Sequence, residues 1–378
     1  MTILSIVESL ADISAAQWNA LAGDINPFIQ YEFLLAFETG QCLHPYGWQP
    51  KYFLIHSSES NELIGAMPAY EKTNSYGEFV FDWAWADAYQ RSGLNYYPKL
   101  IIAIPYSPCQ GPRILAKDNN QEIKTTLIKF ALDFSDKNNY SSTHWLFNLP
   151  DDSNVLKKHL QLQRFDYQFH WTNQNYTNFD DFLSQLTSKK RKNIKQERRK
   201  VSDQNIQIRT FNGAELNQQQ WKKIYYFYQI TFMKKSGTAT LSLDFFKAIA
   251  QQILVVFAYN NEEEVAGAIC IIGKDTLYGR HWGCFEEYDG LHFEVCYYTG
   301  IEYCIKHGFK TFEPGAQGEH KISRGFLPVK TRSAHRVVHA EFNQVLKQHL
   351  QQEALAMEEY GKQLIASSPF KKAPESGI

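Results

Sequence analysis

The strongest constraint on the fold is a run of three consecutive strands in the second half of the chain, followed by a helix and another strand. The three strands are predicted at residues 254–259, 264–272 and 276–283. Residues 291–307 have helical periodicity and end at Gly308, and residues 309–313 are again strand-like. Neighbouring strands followed by a helical connection indicate a mixed sheet covered by helices, which is an α/β (α+β) fold.

The first half repeats this order of elements. Its strands are predicted near residues 3–7, 52–56, 62–70, 100–104, 143–149 and 165–171, with a helix at 121–135. The repeat predicts a tandem duplication with a period of roughly 200 residues and two domains, 1–172 and 173–378. An insertion at 73–98, rich in Trp, Tyr and Asp, interrupts the first copy.

Composition excludes several classes of protein. Apolar residues make up 44% of the chain and charged residues 21%, which is typical of a folded globular protein and excludes a disordered one. No apolar run is long enough to predict a membrane span, and the N-terminus lacks the basic start of a signal peptide. The six cysteines form no C-x-x-C pair, so we expect a cytoplasmic protein without a structural metal.

A strongly basic segment opens the second domain. Residues 179–201 predict one long linking helix, and its part at 189–200 has eight basic residues and a single acid, Glu197. Such a run suits phosphate or nucleic-acid contacts, with the candidates Lys190, Arg191, Lys192 and Lys195. The alternative is a solvated helix that packs on its few apolar residues.

These patterns resemble known families. The order of elements in each half resembles the GNAT acyltransferase fold, and two such units joined by a basic helix resemble the Fem-type aminoacyltransferases. The stretch FDDFLSQLTSKKRKNIKQERRKVSDQNIQIR carries that likeness. Two further segments are similar to a bacterial family of predicted N-acyltransferases labelled peptidoglycan biosynthesis/recognition proteins. They are HFEVCYYTGIEYCIKHGFKTFEPGAQGEHKISRGFLPVKTRSAHR and IPYSPCQGPRIL. The resemblance implies acyl or aminoacyl transfer to an amine.

The polar loop predicted at residues 314–332 is the main candidate site. Long loops at the carboxyl end of a strand are often functional. The candidates for proton transfer are Glu319 and His320, and those for binding the substrate are Glu313, Gln317, Lys321 and Arg324. The alternative is a surface loop ordered by salt bridges.

The neighbouring strand and helix supply further candidates. Strand alternation places Arg280 and Trp282, both candidates for substrate binding, on one face and His281 on the other. His281 and Glu294 are candidate general bases. The alternatives are a hydrogen-bonded core histidine and a carboxylate that interacts with the helix N-terminus.

The acyl donor stays open between acyl-CoA and aminoacyl-tRNA. GNAT enzymes bind the coenzyme A pyrophosphate with a glycine-containing turn, and neither half has a convincing copy of it. The corresponding turn in the second half contains Glu286, Glu287 and Asp289, which would repel a pyrophosphate.

Aromatic residues in the insertion, among them Trp83 and Trp85, are candidates for contact with a sugar or a peptide, or they bury one another in a hairpin. The leading hypothesis is a Fem-like N-acyltransferase or aminoacyltransferase acting on a small-molecule or peptide amine, with tRNA or another phosphate-bearing carrier as a second partner. The alternatives are a non-catalytic module that binds a peptidoglycan fragment or polar peptide between the two domains, and an RNA-binding protein.

Overall fold

The computed structural model describes residues 2–316 and 318–371 and has the predicted mixed α/β architecture. The strands are β1 Thr2–Val7, β2 Trp48–Pro50, β3 Tyr52–Ser57, β4 Leu63–Met67, β5 Tyr70–Lys72, β6 Lys99–Ile102, β7 Leu115–Ala116, β8 Ser142–Leu146, β9 Leu162–Thr172, β10 Ile206–Asn212, β11 Ile253–Asn260, β12 Glu263–Ile272, β13 Thr276–Cys284, β14 Thr311–Glu313 and β15 Leu327–Val337. The α-helices are α1 Ala15–Ala22, α2 Tyr31–Thr39, α3 Trp83–Arg91, α4 Gln121–Lys137, α5 Pro150–Leu156, α6 Phe179–Gln185, α7 Ser188–Asp203, α8 Gln218–Lys234, α9 Leu243–Ala248, α10 Leu291–Phe293, α11 Thr299–His307 and α12 Ala340–Ala366.

The chain divides into two compact units. The first contains Met1–Asp166 and Lys330–Glu359, and the second contains Tyr167–Val329 and Tyr360–Ile378. The sequence-based division at 172/173 assigned all later residues to the second domain, whereas the structure groups Lys330–Glu359 with the first unit. The reason is that Ser333 to Val337 of β15 pair with β8, and the first turns of α12 pack on the apolar side of α3.

Two sheets form the first unit. One is antiparallel, in the order β1-β3-β4-β7, and α4 covers it. In the other, β8 pairs antiparallel with β15 and parallel with β6, and β6 continues through β5 to β2. The insertion contains the helix α3, and not the hairpin considered as one alternative.

The second unit has one mixed sheet that positions the candidate site. Strands β10 to β13 are antiparallel neighbours, β14 joins β13 in parallel, and Trp171 and Thr172 of β9 pair with β14. The three consecutive strands and the helical connection predicted from the sequence are therefore present. Gly308 ends α11 in the left-handed conformation, as its position after the last apolar residue predicts.

Two of the predicted segments differ in the structure. Residues 179–201 form two helices, because Leu186 is extended and bridges to Phe370, and the Thr187 N–H donates to the Pro369 carbonyl. Residues 314–332 are not one loop. They contain a 3-10 turn, Glu319–Arg324, and the start of β15 at Leu327, where the β-branched residues Val329 and Thr331 favour a strand.

Glycines allow helices to approach the sheet of the second unit closely. A Cβ at Gly283 of β13 would lie 1.9 Å from the Phe227 carbonyl oxygen of α8, and one at Gly300 of α11 would lie 2.4 Å from the Phe312 ring of β14. Both faces of the sheet are therefore covered at short range.

We predict that Gly283→Ala destabilises the second unit by about 1–3 kcal/mol, because the new methyl group overlaps backbone that cannot rotate away. The matched control is Gly237→Ala, whose Cβ would meet its nearest atom at 3.4 Å, an ordinary contact. Thermal unfolding measures both. Equal melting temperatures for the two variants would contradict this account of the packing.

Candidate functional site

The site begins where two neighbouring strands of the second unit part. The described pairing of β13 with β14 ends at Tyr278 and Glu313, while β13 continues to Cys284. The chain leaves β14 beside β13, since a Cβ at Gly279 would lie 3.3 Å from the Pro314 Cα. The pairing thus ends at the carboxyl end of two parallel strands, where α/β sheets commonly bind ligands.

A β-bulge directs the side chains of β13 beyond this point. Cys270 pairs with Gly279 and Ile269 pairs with His281, which leaves Arg280 as the extra residue. Trp282 then faces the side of the sheet where α10 lies, and its ring centroid is 5.5 Å from that of His292. Arg280 donates to the Glu313 carboxylate at 2.9 Å.

His281 faces the opposite side of the sheet. Its ring contacts Tyr228 and Phe246, with centroids 4.6 and 5.8 Å away. Burial lowers the pKa of His281 to about 3. The structure does not bring His281 together with Trp282 and His292, and a ring packed among aromatic side chains is poorly placed to act as a base.

A π-helical turn shapes the helix that follows β13. Residues 294–298 form the π turn between α10 and α11. The His292 and Tyr297 rings lie on the same side with centroids 5.4 Å apart, although they are separated by more than one α-helical turn. Such insertions often mark functional sites, because they redirect side chains without ending the helix.

The 3-10 turn Glu319–Arg324 supplies the other half of the site. The Tyr297 hydroxyl and the His320 Nε2 are 2.9 Å apart, and the His292 and His320 rings are separated by 6.5 Å. The Arg324 guanidinium lies 3.4 Å from the centroid of the Phe293 ring. We call this set the histidine cluster; its members are Trp282, His292, Phe293, Tyr297, His320, Lys321 and Arg324.

The lowered pKa values of His292 and His320 favour neutral rings at pH 7. Burial lowers the pKa of His292 to about 4, and the positive charge of Arg324 acts in the same direction. Burial also lowers the pKa of His320, with Arg324 and Lys321 contributing. Because the His320 side chain is exposed, a neutral imidazole is available there to accept a proton.

Lys321 is a buried cation at the base of the turn. It is 2% exposed, and its Nζ donates to the Gly315 carbonyl at 2.7 Å. Burial lowers its pKa to about 8, although the nearby Glu313 carboxylate acts to raise it. One of its three N–H donors is used in the hydrogen bonds described, so the ammonium group has capacity for another acceptor.

Glu197 of α7 fixes the turn from outside. Its carboxylate accepts two hydrogen bonds from Arg324, at 2.7 and 3.2 Å, and one from the Tyr298 hydroxyl. A bidentate arginine–carboxylate pair restricts orientation as well as distance. The single acid in the basic segment therefore holds the turn that contains His320 and Lys321.

Glu294 has a different partner from the one expected at a helix start. It accepts two hydrogen bonds from Arg198, which also binds Glu302. Burial raises the pKa of Glu294, while Arg198 opposes the shift. This placement fits a structural ion pair better than a general base.

The structure describes three further predicted site residues, Glu319, Trp83 and Trp85. Glu319 accepts a hydrogen bond from Tyr360, and Gln317 lies outside the described residues. In the first unit, Trp83 is 40% exposed and Trp85 is buried against His144 and His335.

The basic segment has one inner and one outer side. Arg198 and Lys200 form ion pairs with Glu294 and Asp289. Of the phosphate-binding candidates, Lys192 and Lys195 are exposed, Lys190 and Arg191 are half-buried, and Lys195 also pairs with Asp180 at 2.8 Å.

The turn that would hold a coenzyme A pyrophosphate is acidic. Glu286, Glu287 and Asp289 are exposed between β13 and α10, and Gly290, the N-cap residue of α10, has no side chain to cap the helix. Three carboxylates at this position oppose a bound pyrophosphate, so the residues present do not fit coenzyme A.

The sequence analysis did not identify His292 and Tyr297 as candidate site residues. Their spacing does not place them on one face of an α-helix, and the π turn that brings them together has no simple sequence signal. In the described part of the chain, no group of His, Cys, Asp and Glu side chains could hold a metal ion, and no helix is long and apolar enough to cross a membrane.

Comparison with solved structures identifies proteins with a similar fold. The crystal structure of FemX is 10% identical, with a TM-score of 0.56 over 89% of this chain and 98% of that one. The C-terminal domain assigned to a lysylphosphatidylglycerol synthetase from Agrobacterium fabrum is 8% identical, with a TM-score of 0.54 over 92% and 97% of the two chains. L-PGS from Bacillus licheniformis is 9% identical, with a TM-score of 0.50 over 87% and 98%.

A comparison with curated protein sequences gave no match. The profile of the FemAB-like family, described as peptidoglycan biosynthesis/recognition, matches residues 9–372. The chain therefore belongs to the FemAB-like family.

Proposed function

We propose that the protein transfers an aminoacyl group from an ester-linked carrier to an amine acceptor at the histidine cluster. The observation that carries this proposal is the position of His320, in contact with Tyr297, in the same turn as the buried ammonium group of Lys321, where β13 and β14 part. A base and a positive hydrogen-bond donor are the two groups that amide formation from an activated ester needs.

The proposed reaction has one nucleophilic attack. The acceptor nitrogen attacks the carbonyl carbon of the donor, a C–N bond forms, and the ester C–O bond breaks. His320 accepts the amine proton, and the Tyr297 hydroxyl holds the imidazole by its Nε2. The leaving oxygen takes this proton from His320 as the C–O bond breaks, which returns the imidazole to its neutral form. The Lys321 ammonium stabilises the negative charge that develops on the carbonyl oxygen.

Charge supports an ester-linked carrier over coenzyme A. The acidic turn formed by Glu286, Glu287 and Asp289 disfavours a pyrophosphate, whereas the exposed basic side chains of α7 suit the phosphates of an aminoacyl-tRNA. The family supports an acceptor related to peptidoglycan, such as the free amine of a muropeptide.

The direct test is amide formation by the purified protein, detected by mass spectrometry. Charged tRNA or acetyl-CoA is supplied as the donor and an amine-bearing muropeptide as the acceptor. We expect product with charged tRNA and none with acetyl-CoA. Product with acetyl-CoA alone would overturn the choice of donor, and the absence of product with either donor would contradict the proposal.

We predict that His320→Asn lowers the turnover number by about 10²–10⁴-fold, the usual contribution of a general base. Lys321→Met should lower it by about 10²–10³-fold, as the loss of an oxyanion donor does. His349→Asn, in a histidine whose side chain is 61% exposed, is the matched control. If His281→Asn abolishes turnover while His320→Asn is active, His320 is not the base.

The rate should depend on pH in a bell-shaped manner. A base whose pKa lies below 6.5 becomes active as the pH rises through that pKa, so the acidic limb reports His320. Lys321 acts in its protonated form, so the rate should fall as the pH rises through about 8. In Lys321→Arg the alkaline limb should disappear, because arginine stays charged. An unchanged alkaline limb in this variant would contradict the role of Lys321.

Glu197→Gln should lower the turnover number by about tenfold or more, because a small displacement of the turn misaligns His320 and Lys321. Glu302→Gln is the matched control, since Glu302 also pairs with an arginine but does not contact the turn. Steady-state kinetics and thermal unfolding should be measured together. Parallel losses in both variants would indicate a general effect on stability in place of positioning.

A further inference from the structure

The insertion of the first unit contains a segment in which charged side chains are buried and aromatic ones are exposed. In residues 73–84, the charged side chains are Glu78 and Asp82, and each residue is only 4% exposed. The large aromatic side chains around them face solvent: Tyr76 is 69% exposed, Phe79 41%, Phe81 52% and Trp83 40%. This is the reverse of the usual distribution in a soluble protein.

A buried ion network fixes this arrangement. Lys99 of β6 is fully buried, and its Nζ donates to Ser75 Oγ and Glu78 Oε2, both at 2.9 Å, and to Asp82. The Tyr96 hydroxyl also donates to Asp82, at 2.6 Å. Asp82 precedes the first residue of α3, yet its carboxylate does not cap the helix and turns inward to Lys99. The aromatic side chains that alternate with these residues consequently point outward.

Folding stability alone does not account for this pattern. Burying ions carries a large desolvation cost, and replacing a buried ion pair with apolar side chains is often neutral or stabilising. A segment that buried its aromatic side chains and exposed its carboxylates would fill the core with a more favourable folding free energy. The exposed aromatic side chains therefore require an explanation outside the core.

The aromatic surface, made up of Tyr76, Phe79, Phe81 and Trp83, is held in place, and its own four side chains are uncharged. The rings of Tyr76 and Trp83 are in contact, with centroids 4.8 Å apart. Arg164 donates to the Phe81 carbonyl at 2.8 Å and so anchors the backbone. The next exposed charges along the chain, Asp87 and Arg91, pair with each other.

The size and chemistry of this surface favour a lipid interface. An aromatic side chain offers roughly 150–250 Å², so four half-exposed ones offer about 400 Å² in total. A stable protein interface needs about 800 Å² on each partner, roughly twice this area. A sugar would require polar groups beside the rings, but Glu78 and Asp82 are engaged by Lys99. Exposed Trp, Tyr and Phe side chains without charge match the interfacial region of a bilayer.

We propose that the aromatic surface inserts into the interfacial region of a lipid bilayer and attaches the protein peripherally to a membrane. Attachment by uncharged rings depends on the apolar contact and not on the charge of the headgroups. The inference is independent of the proposed function, because none of these residues belongs to the histidine cluster.

The test is flotation of the full-length protein with vesicles of phosphatidylcholine and with vesicles of phosphatidylcholine and phosphatidylglycerol at 7:3. We expect comparable binding to both and little change when the salt concentration is raised. Phe79→Ser combined with Phe81→Ser should lower the partition coefficient by about tenfold or more. The control is Val345→Ser combined with Leu355→Ser, since these side chains of α12 are 62% and 70% exposed and lie outside the aromatic surface.

Three outcomes would overturn the proposal. These are no binding of the wild-type protein to either vesicle, binding that is lost in high salt, and equal binding by the two double variants. The competing possibility is that a second copy of the chain covers the aromatic surface, and sedimentation velocity without lipid tests it. A dimer that forms in the wild-type protein and not in the Phe79/Phe81 double variant would show that a second copy covers the surface. Thermal unfolding of both variants establishes that each is folded.

Discussion

The candidate site depends on the parting of β13 and β14 after Tyr278 and Glu313. Up to that point the two strands share hydrogen bonds and a continuous core. Beyond it, β13 remains paired with β12 and has a bulge at Arg280, and the chain after β14 leads to the 3-10 turn that contains His320 and Lys321. The π turn between α10 and α11 brings the His292 and Tyr297 rings to the same side, where Tyr297 contacts His320 of the 3-10 turn.

Buried ion pairs have two different consequences in this protein. In the second unit, Glu197 and Arg324 hold the turn of the site, and the acid belongs to a helix that is otherwise strongly basic. In the first unit, Lys99 draws two carboxylates inward and thereby leaves aromatic side chains exposed. Ion pairs of this kind contribute little net stability compared with apolar packing, but they restrict where neighbouring residues can point.

Much of the fold could be predicted from the sequence because it depends on local patterns. Apolar alternation located the strands of the second unit, and Gly308 marked the end of α11. The break between α6 and α7 depends on Leu186 meeting Phe370, a contact distant in sequence that periodicity cannot reveal. The assignment of Lys330–Glu359 to the first unit has the same origin, because long-range pairing with β8 determines it.

The site was less accessible to prediction than the fold. His320, Lys321 and Arg324 were found because a polar stretch follows a strand, but the sequence could not show that His281 packs among aromatic side chains on the other side of the sheet. Nor could it show that Glu294 is bound by Arg198, or that a π turn aligns His292 with Tyr297. These facts depend on tertiary contacts and on one irregular helical turn. The internal duplication likewise stays a prediction from the order of elements.

The central claim is that donor and acceptor meet where β13 and β14 part, and hydrogen–deuterium exchange followed by mass spectrometry tests it most directly. The protein is measured alone, with charged tRNA, and with charged tRNA together with an amine-bearing muropeptide. The account predicts slower exchange in residues 279–284, 291–298 and 318–326 when both substrates are present, and unchanged exchange in β10. Protection confined to other segments, with these three unchanged, would contradict it.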